Sequence, residues 1–112
     1  MENALQVAPR LLLERCTAIV LPDADWSRRV IGDLANRLAA GDPGRAHAVL
    51  APSLHGGFVV SVRAPAGHPA GAAEFCGRFP GGGGRREAAG INRLPAEHAA
   101  EFLRSFEKFF ES

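Results

Sequence analysis

Four glycines in a row, Gly81 to Gly84, stand between a proline and two arginines in the segment Phe79-Pro80-Gly81-Gly82-Gly83-Gly84-Arg85-Arg86. Glycine loses more backbone entropy on folding than any other residue, so a run of four is costly in a compact domain. A chain keeps such a run where side chains would obstruct something. Without Cβ atoms the backbone can take positive φ, and a ligand can reach the amide N–H groups directly. The run therefore predicts either a flexible surface loop or an anion nest. One helical turn is expected behind it, over Arg86 to Ala89, ending at Gly90. Arg85 and Arg86 add guanidinium groups, each able to form two parallel hydrogen bonds to one phosphate.

Known phosphate loops do not fit. A P-loop requires GxxxxGK[ST], and no lysine follows these glycines. A dinucleotide fingerprint requires GxGxxG directly after a strand, whereas here a helix is expected ahead of the run.

The rest of the chain supplies one core. Its 112 residues are 46% hydrophobic and 22% charged, as in a single folded domain. The net charge of +1 is too small for coating nucleic acid by bulk electrostatics. Any anion binding must be local, and five arginines lie between positions 63 and 93 against only Glu74 and Glu87. On charge alone these arginines read equally well as a solvated surface.

Thr17 to Leu21 reads as a buried strand. Trp26, Val30, Ile31, Leu34, Ala35 and Leu38 recur at helical spacing, with Asp23 and Asp25 as candidate caps and Gly41 as a left-handed stop. Ala46 to Ala51, the turn His55-Gly56-Gly57 and the strand Phe58 to Arg63 form a hairpin. In its second strand Phe58, Val60 and Val62 share one face, and Val59, Ser61 and Arg63 the other. A short helix over Ala70 to Phe79, a strand over Ile91 to Leu94 and a last helix opening at Pro95 complete the order. Ala99, Phe102, Leu103, Phe106, Phe109 and Phe110 form that last helix's apolar stripe. Ala4 to Arg15 is expected to be a short helix, interrupted or begun at Pro9. The architecture implied is α/β, a small mixed sheet flanked by helices.

Cys16 and Cys76 form no CxxC pair and read as buried thiols in a reducing compartment. The start lacks the basic and apolar regions of a signal peptide, and no segment has the length of a membrane span. A cytoplasmic location is expected.

The segment from Gly82 to Gly90, GGGRREAAG, resembles the GGGHxxAAG signature of the carboxyl-terminal domain associated with DHH phosphoesterases. Val59 to Ala64, VVSVRA, is similar to that family's VSxR strand, and the order of elements matches from about Thr17 onward. WSRRVIGDLANRLA and AAGINRLP look most like a proteobacterial branch of these enzymes. The resemblance implies a domain over residues 17–112, with residues 1–16 as a linker or the end of an interdomain helix. It implies that Gly82, Gly83 and Gly84 give backbone donors to a phosphate, with Arg63 and Arg85 as its charged partners. The ligand would be a nucleotide or short oligonucleotide. Manganese and the hydrolytic chemistry would belong to a separate DHH domain, the partner in a full-length protein. Arg85 stands where the signature has His. Guanidinium stays charged where imidazole switches, so phosphate binding survives the change and a proton-transfer role does not.

No Asp-His-His run occurs in the chain. His47, His55, His68 and His98 lack metal-ligand spacing and read as surface or turn residues. No nucleophile is assigned, and no cofactor is expected on this chain. Two other functions compete. A single-strand RNA-binding module needs exposed aromatics, but tyrosine is absent, tryptophan is single, and the phenylalanines fall at core spacing. A structural or assembly domain would bind no ligand and self-associate through an apolar face.

Overall fold

The computed structural model describes residues 2–111. Six strands, β1 (Leu11–Leu12), β2 (Cys16–Val20), β3 (Ala46–Pro52), β4 (Phe58–Arg63), β5 (Gly82–Gly84) and β6 (Ala88–Leu94), form one sheet in the order β1-β2-β3-β4-β6-β5. Only β2 and β3 pair in parallel; the other neighbours are antiparallel. The helices are α1 (Glu2–Leu5), α2 (Asp25–Gly41), α3 (Gly71–Cys76) and α4 (Ala99–Glu111), with a 3-10 turn over Ala96–His98. The chain is thus an α/β domain with a mixed sheet flanked by helices, as its periodicities imply.

Alternation along the strands divides the core in two. Cys16, Ala18, Ala48, Leu50, Val60, Val62 and Ile91 point to one face, where α3 and α4 cover them with Phe75, Phe102, Phe106 and Phe110. Ile19, Leu21, Val49 and Ala51 point to the other, beneath Leu34 and Ala35 of α2. The helix that links parallel β2 and β3 is α2, the crossover such a pair requires. It runs over β3 and β4. No helix among the described residues is long and apolar enough to cross a membrane.

Several local expectations are corrected. Helix at the amino end stops at Leu5, because Pro9 cannot continue a helical ladder. The chain turns extended instead, and Leu11–Leu12 joins the sheet edge against β2. Cys16 is the first residue of β2, and Ala4 is buried in the α2-side core. Neither Asp23 nor Asp25 caps α2. The cap residue is Ala24, and both carboxylates bind Arg28, at 3.2 Å and 2.8 Å. Gly41 is the last helical residue and has no positive φ; the stop comes at Asp42, whose amide still donates to the Leu38 carbonyl. Pro95 precedes the 3-10 turn rather than opening α4.

His47 is not a surface residue. It is 2% exposed, with Nδ1 2.8 Å from the Thr17 hydroxyl and Nε2 2.9 Å from the Asp42 carbonyl. A carbonyl can only accept, so Nε2 carries the proton and the ring pins the end of α2 to β2. Both thiols are buried and free, as expected.

Candidate functional site

The glycine run is a strand. Gly82, Gly83 and Gly84 pair with Ile91, Gly90 and Ala89, and Arg85 continues the register, its amide donating to the Ala88 carbonyl at 2.8 Å. The expected helical turn over Arg86 to Ala89 does not form. Ala88 to Gly90 are claimed on both sides, by β4 and by β5, which extends the expected strand over Ile91 to Leu94 back to Ala88.

This pairing changes which amides are available. Antiparallel ladders alternate between hydrogen-bonded and open pairs. Because Arg85 donates to Ala88 and Asn92 donates to Gly81, the alternation makes Gly83 and Gly90 a bonded pair. The amide of Gly82 donates to the Phe79 carbonyl at 3.0 Å. Of the three glycine amides expected to face a ligand, only that of Gly84 points outward at the sheet edge without a backbone acceptor among the described residues.

The glycines differ in what requires them. Gly84 has φ +146°, and a Cβ there would stand 2.5 Å from the Ala89 Cα. A Cβ on Gly82 would strike the Cys76 carbonyl oxygen. Neither can carry a side chain without strain. Gly83 has no positive φ, and no heavy atom lies within 4 Å of where its Cβ would be. Neither packing nor backbone conformation demands glycine there.

That empty space belongs to a cavity of about 600 Å³ over the uncovered end of the α2 face of the sheet. Arg63, Gly82, Gly83, Gly84 and Arg85 all line it, together with Ser61, Ala88, Gly90 and Asn92. The register explains the convergence. Arg63 on β4 is opposite Ala88 on β6, and Ala88 is opposite Arg85. The two arginines are therefore two strands apart in one cross-strand row, roughly 10 Å between backbones, with alanine between them. In the next row Ser61, Gly90 and Gly83 form a floor of small residues.

Charge in the site is unbalanced. Arg63 donates Nε–H to Asn36 Oδ1 at 2.9 Å and Nη1–H to the Val62 carbonyl at 3.1 Å, both neutral acceptors. Among the described residues neither Arg63 nor Arg85 forms an ion pair. Burial, and then the neighbouring Arg85 guanidinium, pull Arg63 below the ordinary arginine value, with Cys76 acting in the other direction. Two like charges are held near each other, and an anion between them would relieve the repulsion. A second cavity, of about 590 Å³, adjoins the first. It shares Arg63, Arg85 and Ala88 and extends under Asn36 and Ala40 of α2.

Arg86 lies outside the first cavity. Its Nη2 donates to the carbonyls of His68 and Pro69, at 2.8 Å and 3.0 Å, and its own carbonyl accepts from Ala72. It braces the glycine strand against the start of α3. Asn36, Ser61 and Asn92 are site residues that sequence reasoning did not single out. Ser61 was legible, sharing a strand face with Arg63; Asn36 carried no signal, being an ordinary polar residue on a helix.

Among the described residues no three His, Cys, Asp or Glu side chains cluster as a metal set would. What the geometry offers is binding, through two uncompensated guanidiniums, one open amide, a hydroxyl and a floor without side chains. The chain matches no family model, and no curated protein is similar to it.

Proposed function

We propose that this chain binds a phosphate-bearing ligand of the nucleotide class, with the phosphate between Arg63 and Arg85 and against the glycine floor. The observation that carries the reading is the pair of guanidiniums in one cross-strand row, without a carboxylate partner, over Gly83, the one glycine of the Gly81–Gly84 run whose absent side chain has no structural cause. Paired guanidinium hydrogen bonds suit phosphate oxygens, and the outward amide of Gly84 adds a donor at the rim. The rest of the ligand would lie in the adjoining cavities.

The likeness of VSVRA and GGGRREAAG to the DHH-associated domain supports the same reading and extends it. On that basis the chain would supply substrate recognition to a phosphoesterase whose manganese and hydrolytic groups reside in another domain. No hydrolytic step is assigned to residues of this chain. Recognition by base stacking finds no support, since all seven phenylalanines belong to the core on the opposite face of the sheet.

Calorimetric titration at low salt tests the reading. Adenosine 5′-monophosphate and inorganic pyrophosphate are expected to bind, and adenosine is not. Arg63→Ala and Arg85→Ala should each weaken AMP binding about tenfold or more, the range for a lost charge-assisted contact. Equal binding of AMP and adenosine, or unchanged affinity in both variants, would contradict it.

A further inference from the structure

Three arginines elsewhere in this molecule are held by carboxylates. Arg28 lies between Asp23 and Asp25, Arg45 on Asp42, and Arg78 near Glu74. Arg63 is half-buried and equally fixed, yet its side-chain partner is an amide. The difference has an electrostatic consequence. A carboxylate would orient the guanidinium and also neutralise it; an amide oxygen orients it and leaves the charge whole.

We propose that Asn36 is a positioning residue that holds Arg63 in the anion site without discharging it. This rests on the phosphate-binding reading above. Asn36 sits on the exposed side of α2, one turn before the helix end, and lines the second cavity. Its Oδ1 takes the Nε–H of Arg63, and the Val62 carbonyl takes a proton of Nη1. Nη2 and the other Nη1 proton are left for a ligand, N–H groups that can meet two phosphate oxygens. The amide assignment follows from the same contact: Nε is a donor, so oxygen faces it and Nδ2 turns away. Nδ2 has no acceptor among the described residues and remains available toward the second cavity.

The substitutions that test this are mild. Asn36 is an exposed helical position, where alanine favours the helix and aspartate is isosteric. AMP affinity should follow the order wild type, then Asn36→Ala, then Asn36→Asp. The alanine variant should lose a few-fold through looser positioning, and the aspartate variant about tenfold or more through neutralisation. Thermal stability should be unchanged or higher in Asn36→Asp. The Arg63 Nε–H resonance, protected from exchange in the wild type, should stay protected in Asn36→Asp and lose protection in Asn36→Ala. A purely structural role would not make aspartate the worse replacement while it keeps the hydrogen bond. Aspartate binding AMP as well as or better than alanine would overturn the proposal while leaving the phosphate site standing. A wild-type chain that binds neither AMP nor pyrophosphate would overturn both.

Discussion

The two faces of the sheet are built from opposite materials. Under α3 and α4, Phe75 stands 5.2 to 5.7 Å, centroid to centroid, from five other phenylalanine rings, those of Phe79, Phe102, Phe106, Phe109 and Phe110. On the other face, beyond the cover of α2, the same strands present Ser61, Ala88, Gly90 and Gly83 with an arginine at each side. One face gains stability from dense aromatic packing. The other has almost nothing to pack, and a cavity with unbalanced positive charge remains. The contrast shows where the chain can tolerate an uncovered surface: the packed face holds the strands in register, and that register sets the spacing of Arg63 and Arg85.

The comparison breaks most visibly at Phe75. Phe75→Ala should cost about 3–5 kcal/mol in chemical denaturation, since the cavity cannot be filled by its already packed neighbours. Substitutions at the arginines should leave the denaturation midpoint almost unchanged. A Phe75→Ala loss under 1 kcal/mol would remove the stated division of labour.

A finer cut separates neighbouring glycines. Gly84→Ala should destabilise by about 1–3 kcal/mol, because its φ is unfavourable for any side chain and Ala89 lies in the way. Gly83→Ala should change stability by no more than about 0.5 kcal/mol, since its methyl enters open space. That same methyl should weaken AMP binding several-fold by occupying the floor. If both variants unfold alike, glycine at 83 has a structural cause that the packing does not show.

The remaining effect is with pH. Burial pushes Cys76 up to about 12, against the pull of Arg63. Burial, helped by a hydrogen bond to Glu111, does the same to Cys16. An unfolded thiol titrates near 8.5, so above that pH the unfolded chain releases protons that the folded state keeps. Stability from these groups is complete below about pH 8.5 and declines as pH rises toward 12. Urea midpoints should agree at pH 7 and 8 and be lower at pH 10, with a shallower decline in Cys76→Ala. A flat profile to pH 10 would contradict the burial of both thiols.

Periodicity made most of the fold legible. The α2 stripe, the β3–β4 hairpin and the phenylalanine stripe of α4 are long enough for burial to impose its spacing on the sequence. The glycine strand was not legible as a strand, because glycine has no side chain to alternate. Only its partners on β6 reveal the pairing. Arg63 and Arg85 were legible as candidate site residues one at a time. Their shared row depends on β6 lying between β4 and β5, a property of the sheet order and not of either segment. Asn36 acts through a contact 27 residues away in sequence, and nothing near it in the chain signals that contact.

The central claim is that an anionic group is held between Arg63 and Arg85 above Gly83. The most direct measurement is a nitrogen–proton chemical-shift titration of the chain with AMP, and with adenosine as control. The account predicts that AMP moves the amides of Gly83, Gly84 and Arg85 and the Nε–H of Arg63, and that adenosine leaves them in place. Shifts confined to other surfaces, or the same shifts with adenosine, would contradict it.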